Sequence, residues 1–207
     1  MKKGTKSFLS LILTCKLLGG LASAENVTTV GAVLPTVPNA IQDSARKAIT
    51  GVIKSASRGD LDEFIRWTAK EDRQRMDEHV KDTSEDMFGA ASEHFKEGWE
   101  DTYSASFENT IDDINIPIKF LSYDKDKHTL EVLLGDEPSS IVLNLVNEGM
   151  ITDAWRIDVP NTVLKQTIMD RLQGVLQSSL TTLSTDKSSA VSMVAVKMLE
   201  PLGGNLQ

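Results

Sequence analysis

Cysteine is almost absent from this chain. Cys15 stands alone among 207 residues, so no internal disulfide can form and stability has to come from an ordinary core. The three histidines, His79, His94 and His128, show no His-Glu-x-x-His or related spacing, and a structural zinc site would need such ligands. Neither a Gly-x-Ser-x-Gly elbow nor a phosphate-cradling glycine loop is present. The pattern therefore names no catalytic residue, metal or cofactor. No apolar run reaches the roughly 20 residues that a membrane-crossing helix needs, which argues against a transmembrane anchor. Bases are scarce too: 22 Lys and Arg face 30 Asp and Glu, a net charge of −8. Such a surface repels phosphate backbones and speaks against nucleic acid as a partner.

What the first residues do contain is a targeting pattern. Lys2, Lys3 and Lys6 precede a largely apolar stretch from Phe8 to Leu21, and Ala22-Ser23-Ala24 is a small-x-small cleavage site. Residues 1–24 read as a signal peptide cut after Ala24, with Glu25 the mature start and a periplasmic or secreted destination. Cys15 follows Ile12-Leu13-Thr14, a poor match to a lipoprotein acceptor. Cleavage removes four lysines and no acid, so the mature chain carries 18 bases against 30 acids, a net of −12. Residues 25–38, small, β-branched and marked by proline, read as a linker.

From Asn39 the apolar period is helical: Ile41, Ala45, Ala48, Ile49, Val52, Ile53 and Ala56 recur at 3–4-residue spacing. Asn39 with Gln42 suggests a capping box, and Gly59 a stop. Asp60, with Glu63 three residues on, caps a second helix bearing Leu61, Phe64 and Ile65. "KEDRQRMDEHVKD" reads as a solvated helix continuation or loop. A third helix begins near Thr83 or Ser84, with Phe88, Ala91, Phe95, Trp99 and Tyr103 on one face. From Ile111 the period changes to two. Four sequential strands follow, carrying Ile114 to Phe120, Leu130 to Leu134, Ile141 to Leu145, and Met150 to Val159, with "NEG" at 147–149 as a tight hairpin. Pro117 marks the first as an edge or bulged strand. Thr162 to Leu183 is a further helix, a weaker one carries Val191 to Met198, and "EPLGGNLQ" should fray. The expected fold is α+β: N-terminal helices packed on a curved four-stranded antiparallel meander, then C-terminal helices. Residues 39–183 form the domain and 184–207 a helical tail.

"SRGDLDEFIRWT", and a final strand in which Trp155 precedes Ile157, resemble the nuclear-transport-factor-2-like (cystatin-like) superfold over Asn39 to about Val159. That resemblance implies a cone in which a bent sheet wraps helices and leaves a cavity. "FGAASEHFKEGWEDTYSASF" and "DAWRIDVPNTVLKQTI" resemble the periplasmic phospholipid-shuttle proteins of the Mla (toluene-tolerance) type, which implies lipid carriage.

The candidate ligand-binding residues are Phe95, Trp99 and Tyr103 on the aromatic helix, Ile118 and Phe120 on the first strand, and Asp153 and Trp155 on the last. Phe95 and Trp99 are expected to meet Ile118, Phe120 and Trp155 on the inner face of the sheet. Trp155 then either closes the core or forms a pocket wall. Asp153 shares its parity. A carboxylate there would be a general base if buried, as the superfold's isomerases would suggest, or a solvated rim group if a bulge turns it outward. The expectation is a non-catalytic binding domain for an apolar small molecule or a protein partner, with a periplasmic lipid carrier and an isomerase or cyclase as alternatives.

Overall fold

The computed structural model describes residues 36–76, 82–113, 116–136, 139–149 and 154–203. The signal segment, most of the linker and Asp153 lie outside the described residues. Within them are seven α-helices and four strands: α1 (Asn39–Arg58), α2 (Leu61–Arg66), α3 (Lys70–Met76), α4 (Asp82–Tyr103), α5 (Phe107–Asp113), β1 (Ile118–Asp124), β2 (Thr129–Leu134), β3 (Ile141–Asn147), β4 (Trp155–Asp158), α6 (Lys165–Ser179) and α7 (Lys187–Leu199). The fold is α+β, and the strands form one antiparallel sheet in the order β1-β2-β3-β4, the meander that four short-linked alternating runs dictate.

α1 occupies the centre. Its whole apolar stripe, Ile41, Ala45, Ala48, Ile49, Val52, Ile53 and Ala56, is buried. The helix touches β4 along with α2, α4, α5 and α7. Each fully buried Ile or Val contributes about 1.5–3 kcal/mol. The surface pair between Lys54 and Asp112 of α5 is worth no more than about 1 kcal/mol, so apolar packing is what seats this helix. At its C-terminus Gly59 adopts φ +72, a left-handed conformation that favours glycine, and its N–H is donated back to Ala56 O at 3.2 Å. The expected cap at the other end is corrected. Pro38 holds the N-cap position without a side-chain bond, and Gln42 Nε2 donates to Val37 O at 2.8 Å instead of pairing with Asn39. Asp60 does cap α2, accepting from Glu63 N at 2.8 Å, while the Glu63 carboxylate pairs with Arg58 at 2.9 Å.

Inward-pointing side chains of the sheet alternate as period two requires. Leu130, Val132 and Leu134 of β2, Leu143 and Leu145 of β3, and Trp155 and Ile157 of β4 are all buried. A bulge between Phe120 and Ser122 breaks the β1–β2 register, so Tyr123 pairs with Leu130 and returns to the inner face. Beyond β4 the link between α2 and α3 adds to the edge. Ile157 N donates to Trp67 O at 2.9 Å and Ala69 N donates to Ile157 O at 2.8 Å, which closes that edge against further pairing.

Several boundaries differ from those the periodicity suggests. Ile111 does not begin the extended stretch: it belongs to α5 (Phe107–Asp113), because Ser106 accepts Asn109 N at 3.2 Å and starts that helix. Among the described residues β4 runs from Trp155, which pairs with Asn147, so the chain does not turn within "NEG"; residues 150–153 of the expected last strand lie outside the described residues. The charged stretch is not wholly solvated: Asp72 and Met76 of α3 are buried. The C-terminal segment does not fray through Leu202, which is buried beside Pro201. α7 belongs to the same core, with Ala190, Val191, Val194, Ala195, Met198 and Leu199 fully buried. Among the described residues no helix is long and apolar enough to cross a membrane.

Gly51 shows how tightly α1 is seated. A Cβ there would fall 2.8 Å or less from three atoms of the Trp67 indole. Overpacking of this kind costs about 1–3 kcal/mol. Gly51→Ala is therefore expected to destabilise the chain by about that amount despite alanine's better helix propensity, as measured by urea denaturation. A stabilised variant would show that Trp67 does not lie flat on the helix.

Candidate functional site

Six of the seven residues proposed from the sequence lie among the described residues, and all six belong to one core or pack against it. Phe95 and Trp99 are fully buried, but their rings meet the ring of Phe107 on α5, at centroid distances of 5.0 and 4.8 Å. Tyr103 stacks on Trp99 at 4.5 Å and donates its hydroxyl to Ser184 O, tying the end of α4 to the connection before α7. Burial, and then the nearby Asp186 carboxylate, push the Tyr103 hydroxyl above its ordinary pKa. Ile118 and Phe120 lie half-buried on β1, where the Arg46 guanidinium stands over the Phe120 ring at 5.8 Å. Trp155 is buried with its nearest ring partner, Tyr123, at 6.4 Å. The aromatic helix thus packs with α5 and α6, while α1 covers β4. Phe95, Trp99 and Trp155 share one core, but their ring contacts fall into two groups, Phe95, Trp99 and Tyr103 with Phe107, and Trp155 with Tyr123. Trp155 faces a closed core, and Asp153 lies outside the described residues.

Concave surface appears elsewhere. A cleft of about 640 Å³ lies where α3 stands beside the sheet, lined by residues from α3, β2, β3 and β4. Its construction starts with Asp72. This carboxylate is 4% exposed and holds two partners, accepting Val159 N at 2.8 Å and Arg75 Nη2 at 3.0 Å. Buried carboxylates persist when charge and hydrogen bonds compensate them. Arg75 also donates to Val159 O at 3.1 Å and to the Asn161 side chain. On the other side Glu148 accepts Arg73 Nη2 at 3.1 Å and the Lys70 backbone N–H. The bonds to Val159 and Asn161 and the Arg73–Glu148 pair therefore clamp a seven-residue helix that is too short to be stable alone, and Met76 supplies its apolar anchor.

The floor of the cleft is the sheet's outer face, reached by residues of parity opposite to Trp155 and Ile157. Thr129, Val146 and Asp158 line it together with Glu71 from α3. Partial burial of the Asp158 carboxyl raises its pKa. Asp72 and Glu71 push in the same direction and Arg75 opposes them. None of these residues was singled out from the sequence. The available signal was the i, i+4 pair Asp72 and Met76, a buried face inside a stretch that otherwise reads as solvated.

Comparisons with protein-family models, with curated proteins and with solved structures gave no match.

The Asp158 shift has a definite sign in stability. A raised pKa means that the folded chain holds the proton more tightly than the unfolded chain, so ionisation of Asp158 weakens folding. The penalty is absent well below the ordinary value of 3.8 and is fully expressed once pH exceeds the folded-state pKa. Asp158→Asn is expected to raise the melting temperature at pH 7 and to leave it unchanged at pH 3. A variant less stable than the parent at pH 7 would contradict the repulsion from Asp72 and Glu71.

Proposed function

We propose that this chain is a non-catalytic binding domain, delivered to the periplasm or the exterior by its first 24 residues, and that it engages a protein partner through the cleft between α3 and the outer face of the sheet. One observation carries this reading. Phe95, Trp99 and Trp155, expected to line an internal apolar pocket, are buried in one packed core at no more than 1% exposure. Binding sites for apolar small molecules are concave and apolar-lined. The concave surface described above is instead outward-facing, rich in charged side chains and braced by paired charges. That character suits a protein surface better than a lipid chain.

The test places a photo-activated cross-linking residue at Thr129, which is exposed at the cleft, and for comparison at Glu97, exposed on α4. Each full chain is expressed in its own compartment and read out by intact mass. The expected result is a protein-sized adduct at position 129, none at position 97, and a mass that begins at Glu25. Equal labelling at both positions would overturn the choice of surface. A lipid-sized adduct would favour carriage instead.

A further inference from the structure

Resting on that reading, we propose that the partner presents a basic, extended segment, with Lys or Arg side chains at alternate positions, to the outer face of the sheet and the α3 cleft. The surface is an uncovered sheet face beside a cleft: Ser122, Thr129, Asn144 and Asp158 all point outward and are exposed. Its charges are unevenly used. Arg75 is committed to Asp72, Val159 O and Asn161, and Arg73 to Glu148. Glu71 and Asp158 have neither an ion pair nor a hydrogen bond among the described residues, and Glu131 has only a long contact from Ser122 Oγ at 3.4 Å. Arg156 shares the outer face but is held over the Trp67 ring and on Trp155 O, and Lys119 lies toward β1, so within the cleft lining the unpaired Glu71 and Asp158 stand against Lys70 alone.

The geometry sets the form of the partner as well as its charge. The β4 edge is closed by Trp67 and Ala69, so a segment arriving on this side must lie across the face and cannot extend the sheet. Asp158, Asn144 and Glu131 form one cross-strand row of the outer face, since Asn144 pairs with both neighbours. Adjacent strands are about 4.8 Å apart, so the two ends of that row are roughly 10 Å apart, a span that the long, flexible Lys or Arg side chains of alternate residues ~7 Å apart can bridge. Charge complementarity of this kind selects partners and speeds their encounter.

The probe is a fluorescein-labelled ten-residue Lys-Ser repeat peptide, with a Glu-Ser repeat of equal length beside it, titrated against the full mature chain at low ionic strength and read by anisotropy. The Lys-Ser peptide should bind and the Glu-Ser peptide should not. The double variant Glu71→Gln, Asp158→Asn should lose about tenfold in affinity. Glu97→Gln with Glu100→Gln, which removes the same charge from α4, should change it less than twofold. Equal losses in both double variants would reduce the effect to net charge and overturn the inference, as would no binding of the Lys-Ser peptide. Preferential binding of the Glu-Ser peptide, competing with the adduct at position 129, would overturn the basic partner while leaving the cleft as the binding surface.

Discussion

The fold depends on one packing constraint, the close burial of α1 between the sheet and the remaining helices. Small side chains make that possible. Ala45, Ala48 and Ala56 are buried on this helix, and Gly51 leaves room for the Trp67 indole to lie directly on its backbone. Trp67 is also the residue whose carbonyl takes the Ile157 N–H. Seating α1 therefore fixes the link that closes the β4 edge, and with it the point from which α3 departs. At the other end of the helix, Ser92 of α4 donates to Ser57 O at 2.5 Å, and its Cβ would lie 3.0 Å from a Cβ placed on Gly59. A change in the packing of α1 would be felt in the sheet and in α4 together, because interiors at this density transmit strain.

Filling the interior has a consequence for function. With α1 against β4 and the aromatics of α4 packed on α5, Phe95, Trp99 and Trp155 are buried together in one packed core. Concavity is left to the outer side, where a short charged helix stands beside a polar sheet face. The same residues serve structure and surface there. Asp72 and Arg75 tie α3 to Val159 while Glu148 holds its Arg73, and Glu71 and Asp158 keep no ion pair of their own among the described residues. The negative character of the cleft follows from how α3 is attached.

Much of the architecture was legible from local patterns. Gly59 followed by Asp60 marks a stop and a start that need no distant partner. The alternation of Leu130, Val132, Leu134, Leu143 and Leu145 assigns a face without knowledge of what covers it. What was not legible depends on partners far away in sequence. Asp72 is buried because Val159, 87 residues later, donates to it, and nothing within "KEDRQRM" announces that. Ile111 fits a two-residue alternation with the residues after it, yet Ser106 caps a helix through it, a short-range signal that the apolar spacing obscured. Tyr103 looked like a pocket residue because it continues the aromatic stripe, but its hydroxyl is committed to Ser184 O. For the site, the outward parity of Asp158 against Trp155 and Ile157 was readable in the sequence, while its crowding by Asp72 and Glu71 required the attachment of α3.

Native-state hydrogen exchange tests the central place of α1 most directly, since amides in the most stable unit exchange only through global unfolding while peripheral elements open locally. The amides of Ala48 to Ile53 should show opening free energies equal to the global stability measured by denaturation, and those of α3 should open at markedly lower cost. Exchange from the middle of α1 that is faster than from α4 and α6 would contradict the account, because those helices would then hold together without the one said to seat them.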